Sequence, residues 1–188
     1  MVCYNKFSVF SIRLKLLDAI IRILSERKIG GERVVTQEFY TSAVQQYLDM
    51  VYRIALNWFR NPADVEDVAQ TVMLRLWQSE AEFEGEEHLR HWLARVTVNY
   101  CKDLSRSFWK RRVVPLESHK EPTFTDPAKQ TLFHEIMELP SRYRVPLYFY
   151  YYEGYSIAEV GELLQLKEST VKTRLARARE KLRARLEE

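Results

Sequence analysis

Seven hydrogen-bonding side chains near the end of the chain could together recognise a nucleic acid. They are Ser169, Thr170, Lys172, Thr173, Arg174, Arg177 and Arg179. Lysine and arginine donate to phosphates or to guanine O6 and N7, while threonine can donate, accept or touch a thymine methyl. Residues 167–188 hold eight Lys/Arg and four Asp/Glu, a surplus of four positive charges. This segment is therefore predicted to contact a polyanion, and a DNA duplex is the candidate.

Helical spacing divides these side chains between two tasks. On a helix at this position, Lys172, Thr173 and Arg177 are expected to share one face and to read bases. Arg174 and Arg179 are expected to lie off that face and to hold backbone phosphates. Loss of a base-reading side chain would change the preference at one base pair, whereas loss of a phosphate contact would weaken all sequences alike.

The surrounding residues predict a helix-turn-helix. Ser156 and Glu159 have the spacing of a capping box that begins a first helix, and residues 166–169 break it. A second helix is predicted from about Thr170, with an apolar stripe of Val171, Leu175, Ala178 and Leu182. Such a pair places its second helix in the major groove of DNA. The alternative is a two-helix hairpin whose charged face only meets water.

Acidic side chains are concentrated earlier in the chain. Residues 61–87 hold eight acids and one base. A helix is predicted over Asp64–Gln78, with Asp64 as its cap. Its apolar residues bury one face, and the polar face carries Asp64, Asp67, Gln70 and Thr71. This face is expected to meet a partner other than DNA.

Basic and aromatic side chains follow directly. Residues 102–112 hold five bases and one acid, at the end of a helix predicted from Glu87 to about Arg112. Phe108 and Trp109 lie among these bases. Aromatic rings that can stack on bases, together with cations for phosphates, are typical of single-strand binding. The chain therefore separates acidic and basic surfaces, which suits two different partners.

The remaining segments predict an all-α fold of two small helical domains joined by a flexible linker. Residues 113–128 carry three prolines and no helical period, and form that linker. Helices are also predicted over Gln37–Arg60, over 129–139 and over 140–152, the last bent by Pro146. Tyr148–Tyr152 could instead form a strand, but Gly154 is typical of a helix end. With the helix-turn-helix, this makes a four-helix C-terminal domain.

Residues 1–35 form an extension outside these two domains, and its role is not defined by its sequence. Phe7–Leu24 is rich in apolar residues, but charged residues interrupt it. We therefore expect neither a membrane-spanning helix nor a secretory signal. The segment could dock on the domain, lie on a membrane surface or bind a partner.

Metal, disulfide and cofactor chemistry are not expected. Two cysteines, Cys3 and Cys101, are too few for a disulfide framework or a structural zinc site. His88 and His91 have a spacing that can chelate a metal, but no further ligand supports them in sequence. The sequence therefore predicts no metal and no cofactor, and low cysteine use fits a reducing cytoplasm.

In this order, the segments resemble the extracytoplasmic-function (ECF) group of bacterial sigma factors. The resemblance covers about Gln37 to Arg185. It is most specific in ADVEDVAQTVMLRLW and in LPSRYRVPLYFYYYEGYSIAEVGELLQLKESTVKTRLARAREKL. It implies a cytoplasmic subunit that binds core RNA polymerase and directs it to promoter DNA in a stress or envelope response. It also implies an anti-sigma factor as a partner, which can be membrane-bound.

The resemblance assigns the first domain, residues 36–112, to core polymerase and to the melted −10 element. Its helix of polymerase contacts matches Asp64, Asp67, Gln70 and Thr71, where Thr71 replaces a common acid. Residues 79–87 match a loop that holds a flipped −10 base. The helix that contacts the −10 element matches Asn99, Asp103, Arg106, Lys110, Arg111 and Arg112.

The same resemblance assigns the second domain, residues 129–188, to the −35 element. Its recognition face includes Ser169, Thr170, Lys172, Thr173, Ala176 and Arg177. Ser169 replaces a usual glycine, and Lys167 stands where a capping residue is common. These two departures leave the first residue of the recognition helix open.

Two other functions remain as alternatives. A conventional helix-turn-helix regulator would use its first domain to sense a ligand or to dimerise, but such a domain needs no acidic helix beside a basic aromatic one. An enzyme acting on nucleic acid would need a metal cluster, an activated nucleophile or a phosphate loop. Asp64, Glu66 and Asp67 are clustered acids without such a partner motif. The chain is therefore predicted not to be an enzyme.

Overall fold

The computed structural model describes residues 35–108 and 127–187. These residues form seven α-helices and a π-helical turn, without a strand, which confirms the all-α prediction. In chain order the helices are α1 Gln37–Trp58, α2 Pro62–Trp77, α3 Glu86–Phe108, α4 Pro127–Glu138, α5 Ser141–Leu147, α6 Ile157–Leu164 and α7 Glu168–Leu186. The predictions for the N-terminal extension, for Trp109 and Lys110–Arg112, and for most of the linker lie outside the described residues.

Helices α1, α2 and α3 pack around one apolar core. Val51, Ile54, Val65, Met73 and Leu93 are buried at its centre, contributed by all three helices. Val51 and Ile54 lie three residues apart in α1, and Val65 and Met73 lie eight residues apart in α2, so each pair belongs to the apolar stripe that the sequence predicts for its helix. Burial of this stripe supplies most of the stability of these helices, because helices in proteins are stabilised mainly by packing of their apolar face and less by intrinsic propensity.

The start of α2 differs from the prediction. Asn61, not Asp64, caps the helix, and its side-chain oxygen accepts a hydrogen bond of 3.1 Å from the amide of Ala63. Pro62 then occupies the first turn, where the missing N–H costs nothing and the ring pre-sets the helical φ. Asp64 lies further inside the first turn, where a carboxylate is favoured by the helix dipole.

Helices α4 to α7 form the second half, with the predicted capping box at the start of α6. The amide of Glu159 donates to Ser156 Oγ over 3.3 Å, and the amide of Ser156 donates to Glu159 Oε2 over 2.7 Å. Interaction of the Glu159 carboxylate with the side chain and then the amide of Ser156 lowers the pKa of Glu159. Val160 and Leu164 of α6 and Val171 and Leu175 of α7 are buried in the core of the helix-turn-helix.

A π-helical turn over Tyr148–Tyr152 follows α5, so this stretch is helical rather than a strand. Pro146 has no amide hydrogen to donate, which interrupts the regular ladder just before the turn widens. The amide of Glu153 bonds to the carbonyl of Tyr148 over 3.2 Å, five residues back, as a π-helix requires. Gly154 then ends the helix at a φ of 76°, a conformation that favours glycine.

The turn between α6 and α7 is short and closely packed. Gln165 has a φ of 56°, and the amide of Leu166 bonds back to the carbonyl of Gly161 over 2.8 Å. A Cβ on Gly161 would lie 2.9 Å from the carbonyl oxygen of Leu166. Helix α7 begins at Glu168, two residues before the predicted start, with Lys167 at the N-cap position but without a side-chain hydrogen bond there.

Arg144 joins the two halves of the molecule. Its side chain is buried, and its Nε donates to the carbonyl of Asn57, at the end of α1, over 3.0 Å. Its Nη1 donates to the carbonyls of Met137 and Leu139, at the end of α4. Burial and then the charge of Arg60 lower the pKa of Arg144 to about 10, so it remains a cation at neutral pH.

Replacing Arg144 with alanine should destabilise the protein by about 3 kcal/mol, because three carbonyls at two helix ends lose a charged donor. Urea unfolding of the full chain measures this change. Arg183→Ala is the control: Arg183 has an exposed side chain that pairs with Glu187, and its loss should cost about 0.5 kcal/mol or less. Equal unfolding midpoints for the two variants would contradict the role given to Arg144.

Candidate nucleic-acid interface

An open groove of about 380 Å³ lies between α5 and the first turns of α7. From α7 it is lined by Ser169, Thr170, Thr173, Arg174 and Arg177. These positions recur along one side of a helix, so the predicted donors except Lys172 and Arg179 come together. From α5 the lining residues are Arg142 and Tyr143, which the sequence patterns did not indicate.

The hydroxyl of Thr173 already has a partner in its own helix. Thr173 Oγ1 donates to the carbonyl of Ser169, four residues back, over 2.8 Å. Its hydrogen is therefore occupied, while its oxygen lone pairs and its methyl group remain exposed on the groove. Of the roles expected for Thr173, acceptance of a hydrogen bond and contact with a thymine methyl fit this geometry best.

Arg142 and Tyr143 form an aromatic and cationic wall opposite α7. The guanidinium carbon of Arg142 lies 4.8 Å from the ring centroid of Tyr143, within reach of a cation–π contact. Burial raises the pKa of Tyr143, but the nearby cations Arg177, Arg142 and Lys181 outweigh it and lower that pKa. The phenol oxygen therefore sits in a cationic environment that includes Arg177.

Arg174 departs from its predicted position. The sequence places it away from Thr173 and Arg177, yet it lines the same groove. Position 174 is only about 100° around the helix from position 173, and a long arginine side chain covers that angle. Lys172 and Arg179 are exposed on the surface of α7 outside the groove. The predicted face of three base-reading residues is thus split, with Lys172 apart from Thr173 and Arg177.

The sequence contains a pattern that could have indicated Arg142, but the pattern does not show whether Arg142 or Arg144 faces outward. Arg142 and Arg144 are two residues apart on a short helix, so one can point outward and the other inward. The structure leaves Arg142 accessible at the groove and buries Arg144. Which of them faces α7 depends on how the two helices pack, and sequence spacing does not fix that packing.

A second polar surface runs along the last turns of α3. Asn99 is half-buried, and Arg106 is exposed and pairs with Asp103 over 3.5 Å. Lys102, between them, is half-buried, and burial followed by the charge of Arg106 lowers its pKa. Asn99, Lys102 and Arg106 recur at helical spacing, so they share one side of α3.

Helix α6 lies against this side of α3. Lys102 Nζ donates to the carbonyl of Leu164 over 2.9 Å, and Arg95 Nη2 donates to Glu162 Oε1 over 2.7 Å. Arg95 precedes Asn99 by one turn, and Lys102 follows it by one turn. The candidate single-strand surface of the first half is therefore in contact with the second half.

Two profiles of one protein family cover these two halves. Residues 43–111 match Sigma-70 region 2, and residues 129–182 match Sigma-70, region 4. The chain belongs to the sigma-70 family. The predicted resemblance is thereby confirmed, and the groove of α7 lies inside the region 4 match.

Curated relatives of this sigma factor carry the name of the ECF group. The ECF RNA polymerase sigma factor SigW of Bacillus subtilis (strain 168) is 23% identical over 184 residues, covering 88% of this chain and 98% of that protein. SigE of Mycolicibacterium smegmatis (strain ATCC 700084 / mc(2)155) is 30% identical over 156 residues, covering 74% of this chain and 58% of that protein.

Two solved structures share the fold of the sigma factor. One is RpoE in complex with the anti-sigma factor NepR from Bartonella quintana, with a TM-score of 0.60 and 17% identity over 79% of this chain and 96% of that one. The other is CnrH in complex with the cytosolic domain of CnrY, with a TM-score of 0.55 and 24% identity over 81% and 90% of the two chains. At these identities the likeness concerns the fold.

The acidic surface of the sigma factor lies on α2, within the region 2 match. Asp67 is exposed, while Asp64, Gln70 and Thr71 are half-buried. Burial, followed by the charge of Asp67, raises the pKa of Asp64. Within residues 35–108 and 127–187, Gln70 Nε2 is a buried donor without a hydrogen-bond partner. These four positions of the sigma factor stay predicted polymerase contacts.

The described part of the sigma factor contains no group of three or more metal-ligating side chains, and none of its helices has the length and apolar character of a membrane span. The two histidines considered as a metal pair have separate contacts: His88 Nδ1 accepts from the amide of Glu84 over 3.3 Å, and His91 Nδ1 lies 2.9 Å from the carbonyl of Glu87.

Replacing Arg106 with alanine should lower the salt dependence of promoter binding, because the predicted −10 contact surface loses one cation. The slope of log K against log salt should fall by roughly 0.7 in holoenzyme binding assays. Arg53→Gln, which removes a cation paired with Asp49 on α1, should leave the slope unchanged. A changed base preference at an unchanged slope would mean that Arg106 reads a base instead of holding a phosphate.

Proposed function

We propose that this sigma factor binds core RNA polymerase through α2, holds the melted −10 element along α3 and reads the −35 element with α7. The groove between α5 and α7 carries the proposal, because it gathers three arginines and three hydroxyl side chains of Ser and Thr at the start of a recognition helix. Helix termini in this orientation meet base edges in the major groove of DNA.

The domain limits follow from this division of tasks. Residues 36–112 act as region 2, residues 113–128 act as a linker, and residues 129–188 act as region 4. The separation of an acidic α2 from a basic α7 supports the division, since a polyanion repels the one and attracts the other. The chain performs no catalysis in this scheme: core polymerase supplies the chemistry, and the chain supplies recognition. Such a role places it in the cytoplasm.

The two halves have to separate before the factor can occupy both promoter elements. Elements about 25 base pairs apart lie roughly 85 Å apart along straight duplex, at about 3.4 Å per base pair. In the described structure α3 and α6 touch, with 2.9 Å between Lys102 Nζ and the carbonyl oxygen of Leu164. Binding to polymerase therefore has to exchange the contacts between the halves for contacts with the enzyme.

An anti-sigma factor is a further partner that we propose, in a stress or envelope response. RpoE of Bartonella quintana is in complex with NepR, and CnrH is in complex with the cytosolic domain of CnrY. An inhibitor of this chain would act by keeping α3 and α7 from promoter DNA. A membrane-bound inhibitor would couple its release to conditions at the envelope.

The decisive experiment is transcription by core polymerase with and without the purified full chain. Templates carrying random −35 and −10 elements should yield defined transcripts only when the chain is present. Sequencing of the productive templates should return two short motifs at a fixed separation. Strong binding of the chain alone to a duplex site, without initiation by polymerase, would instead support a conventional helix-turn-helix regulator.

Replacing Asp67 with lysine should weaken binding to core polymerase, because it reverses the exposed charge on the proposed contact face of α2. Co-purification of the full chain with core enzyme measures this effect. Glu38→Lys makes the same charge change at an exposed site in the first turn of α1 and should bind as the wild type does. If both variants co-purify normally, α2 is not the polymerase contact.

A further inference from the structure

We propose that two residues outside the recognition helix complete the −35 contact: Arg142 holds a backbone phosphate, and Tyr143 orients Arg177 towards a base edge. Both lie on α5, across the groove from α7. The inference rests on the proposed function of α7 as the −35 recognition helix. It adds a phosphate contact and a positioning residue to that helix.

The arginines of this groove differ in their partners from four arginines outside it. Arg95, Arg106, Arg183 and Arg185 each pair with a carboxylate. Within the described part of the chain, Arg142, Arg174 and Arg177 line one groove, and no carboxylate pairs with them. Three like charges that share a groove repel one another, so an anion in the groove would relieve that repulsion.

Arg142 has the geometry of a phosphate contact. It lines the open groove, and its guanidinium lies 4.8 Å from the centroid of the Tyr143 ring. Contact with an aromatic face limits the directions of the guanidinium but leaves its N–H groups able to donate to oxygen. The position of Arg142 across the groove from α7 suits a phosphate at the rim of the major groove, which lies beside the bases that the recognition helix reads.

Tyr143 has the geometry of a positioning residue. Its side chain is buried, with 6% of its surface exposed, so the ring has little freedom to move. Tyr143 and the exposed side chain of Arg177 line the same groove, and Arg177 is among the groups that lower the pKa of the Tyr143 phenol. A guanidinium has five N–H donors, and a bidentate contact with guanine needs only two of them. Tyr143 can therefore hold Arg177 while Arg177 reads a base.

The position of α5 is fixed by Arg144, the residue that follows Tyr143 in the chain. Arg144 is buried and bonds to the carbonyls of Asn57 and Leu139. Because α5 is anchored in this way, Arg142 and Tyr143 present a preformed wall to the groove. Preformed contacts lose less side-chain entropy on binding than mobile ones do.

The test uses full-length variants bound to core polymerase and a template library with all single changes in the −35 element. Arg142→Gln should lower the salt slope of promoter binding by about 0.9, and it should weaken all templates alike. Arg142→Lys, which keeps the charge, should retain the slope. Arg183→Gln is the matched control, since Arg183 is exposed on α7 outside the groove.

Tyr143→Phe should lower discrimination about tenfold at one base position, because it removes the hydroxyl that holds the charged Arg177 in this proposal. That position should be the one affected by Arg177→Ala. In a double-mutant cycle, Tyr143→Phe should add nothing to Arg177→Ala, since both act on one contact. An unchanged melting temperature of Tyr143→Phe would show that its lower discrimination does not come from a loss of folding. Arg142→Gln tests the groove independently, because Arg142 is exposed and lies outside the core.

The outcomes distinguish this inference from the proposed function. If wild-type holoenzyme selects a −35 motif, while Arg142→Gln keeps the full salt slope and Tyr143→Phe keeps full discrimination, the inference is wrong and the proposed function stands. The inference is equally wrong if Tyr143→Phe affects a base position that Arg177→Ala leaves alone. If wild-type holoenzyme selects no −35 motif, the proposed function fails, and this inference fails with it.

Discussion

The burial of Arg144 is the constraint on which the described arrangement depends. A guanidinium withdrawn from water is costly unless its N–H groups find acceptors, and here the acceptors are carbonyls at the ends of two helices. Asn57 belongs to the first half of the chain and Leu139 to the second, so one side chain satisfies backbone groups on both sides. The same contact fixes the orientation of α5, because a rotation of the helix would leave the buried guanidinium of Arg144 without its hydrogen-bond acceptors.

Three consecutive residues of α5 consequently serve three surfaces. Arg144 faces inward to the junction of the halves, Tyr143 packs into the second core, and Arg142 faces the groove of α7. Helix α5 is only seven residues long and contains Pro146, so its own backbone contributes little stability. Its position is set by Arg144 and by packing. A helix held in this way can present a fixed wall to a ligand, which a mobile loop could not do.

The sequence was sufficient where a local rule decides the structure. The capping box at Ser156, the apolar stripe of α7 and the glycine end at Gly154 depend on neighbours within a turn or two, and all were predicted. The cap at Asn61 was missed because Asp64 satisfies the same rule three residues later. The groove wall was missed for a different reason: Arg142 meets α7 only after two helices pack, and no spacing rule encodes that meeting. The roles of the predicted site residues stay predictions.

The contact between α3 and α6 has a consequence for how the factor behaves before it meets polymerase. When only open molecules can bind a ligand, the apparent dissociation constant is the intrinsic one divided by the open fraction. Lys102 and Arg95 hold α6 against the side of α3 that carries Asn99. If this side binds the −10 element as proposed, closed molecules lower the affinity of the free chain for DNA. A genome offers on the order of a million or more nonspecific sites. A mostly closed population would therefore bind fewer of these nonspecific sites, and more of the free factor would remain available to core enzyme.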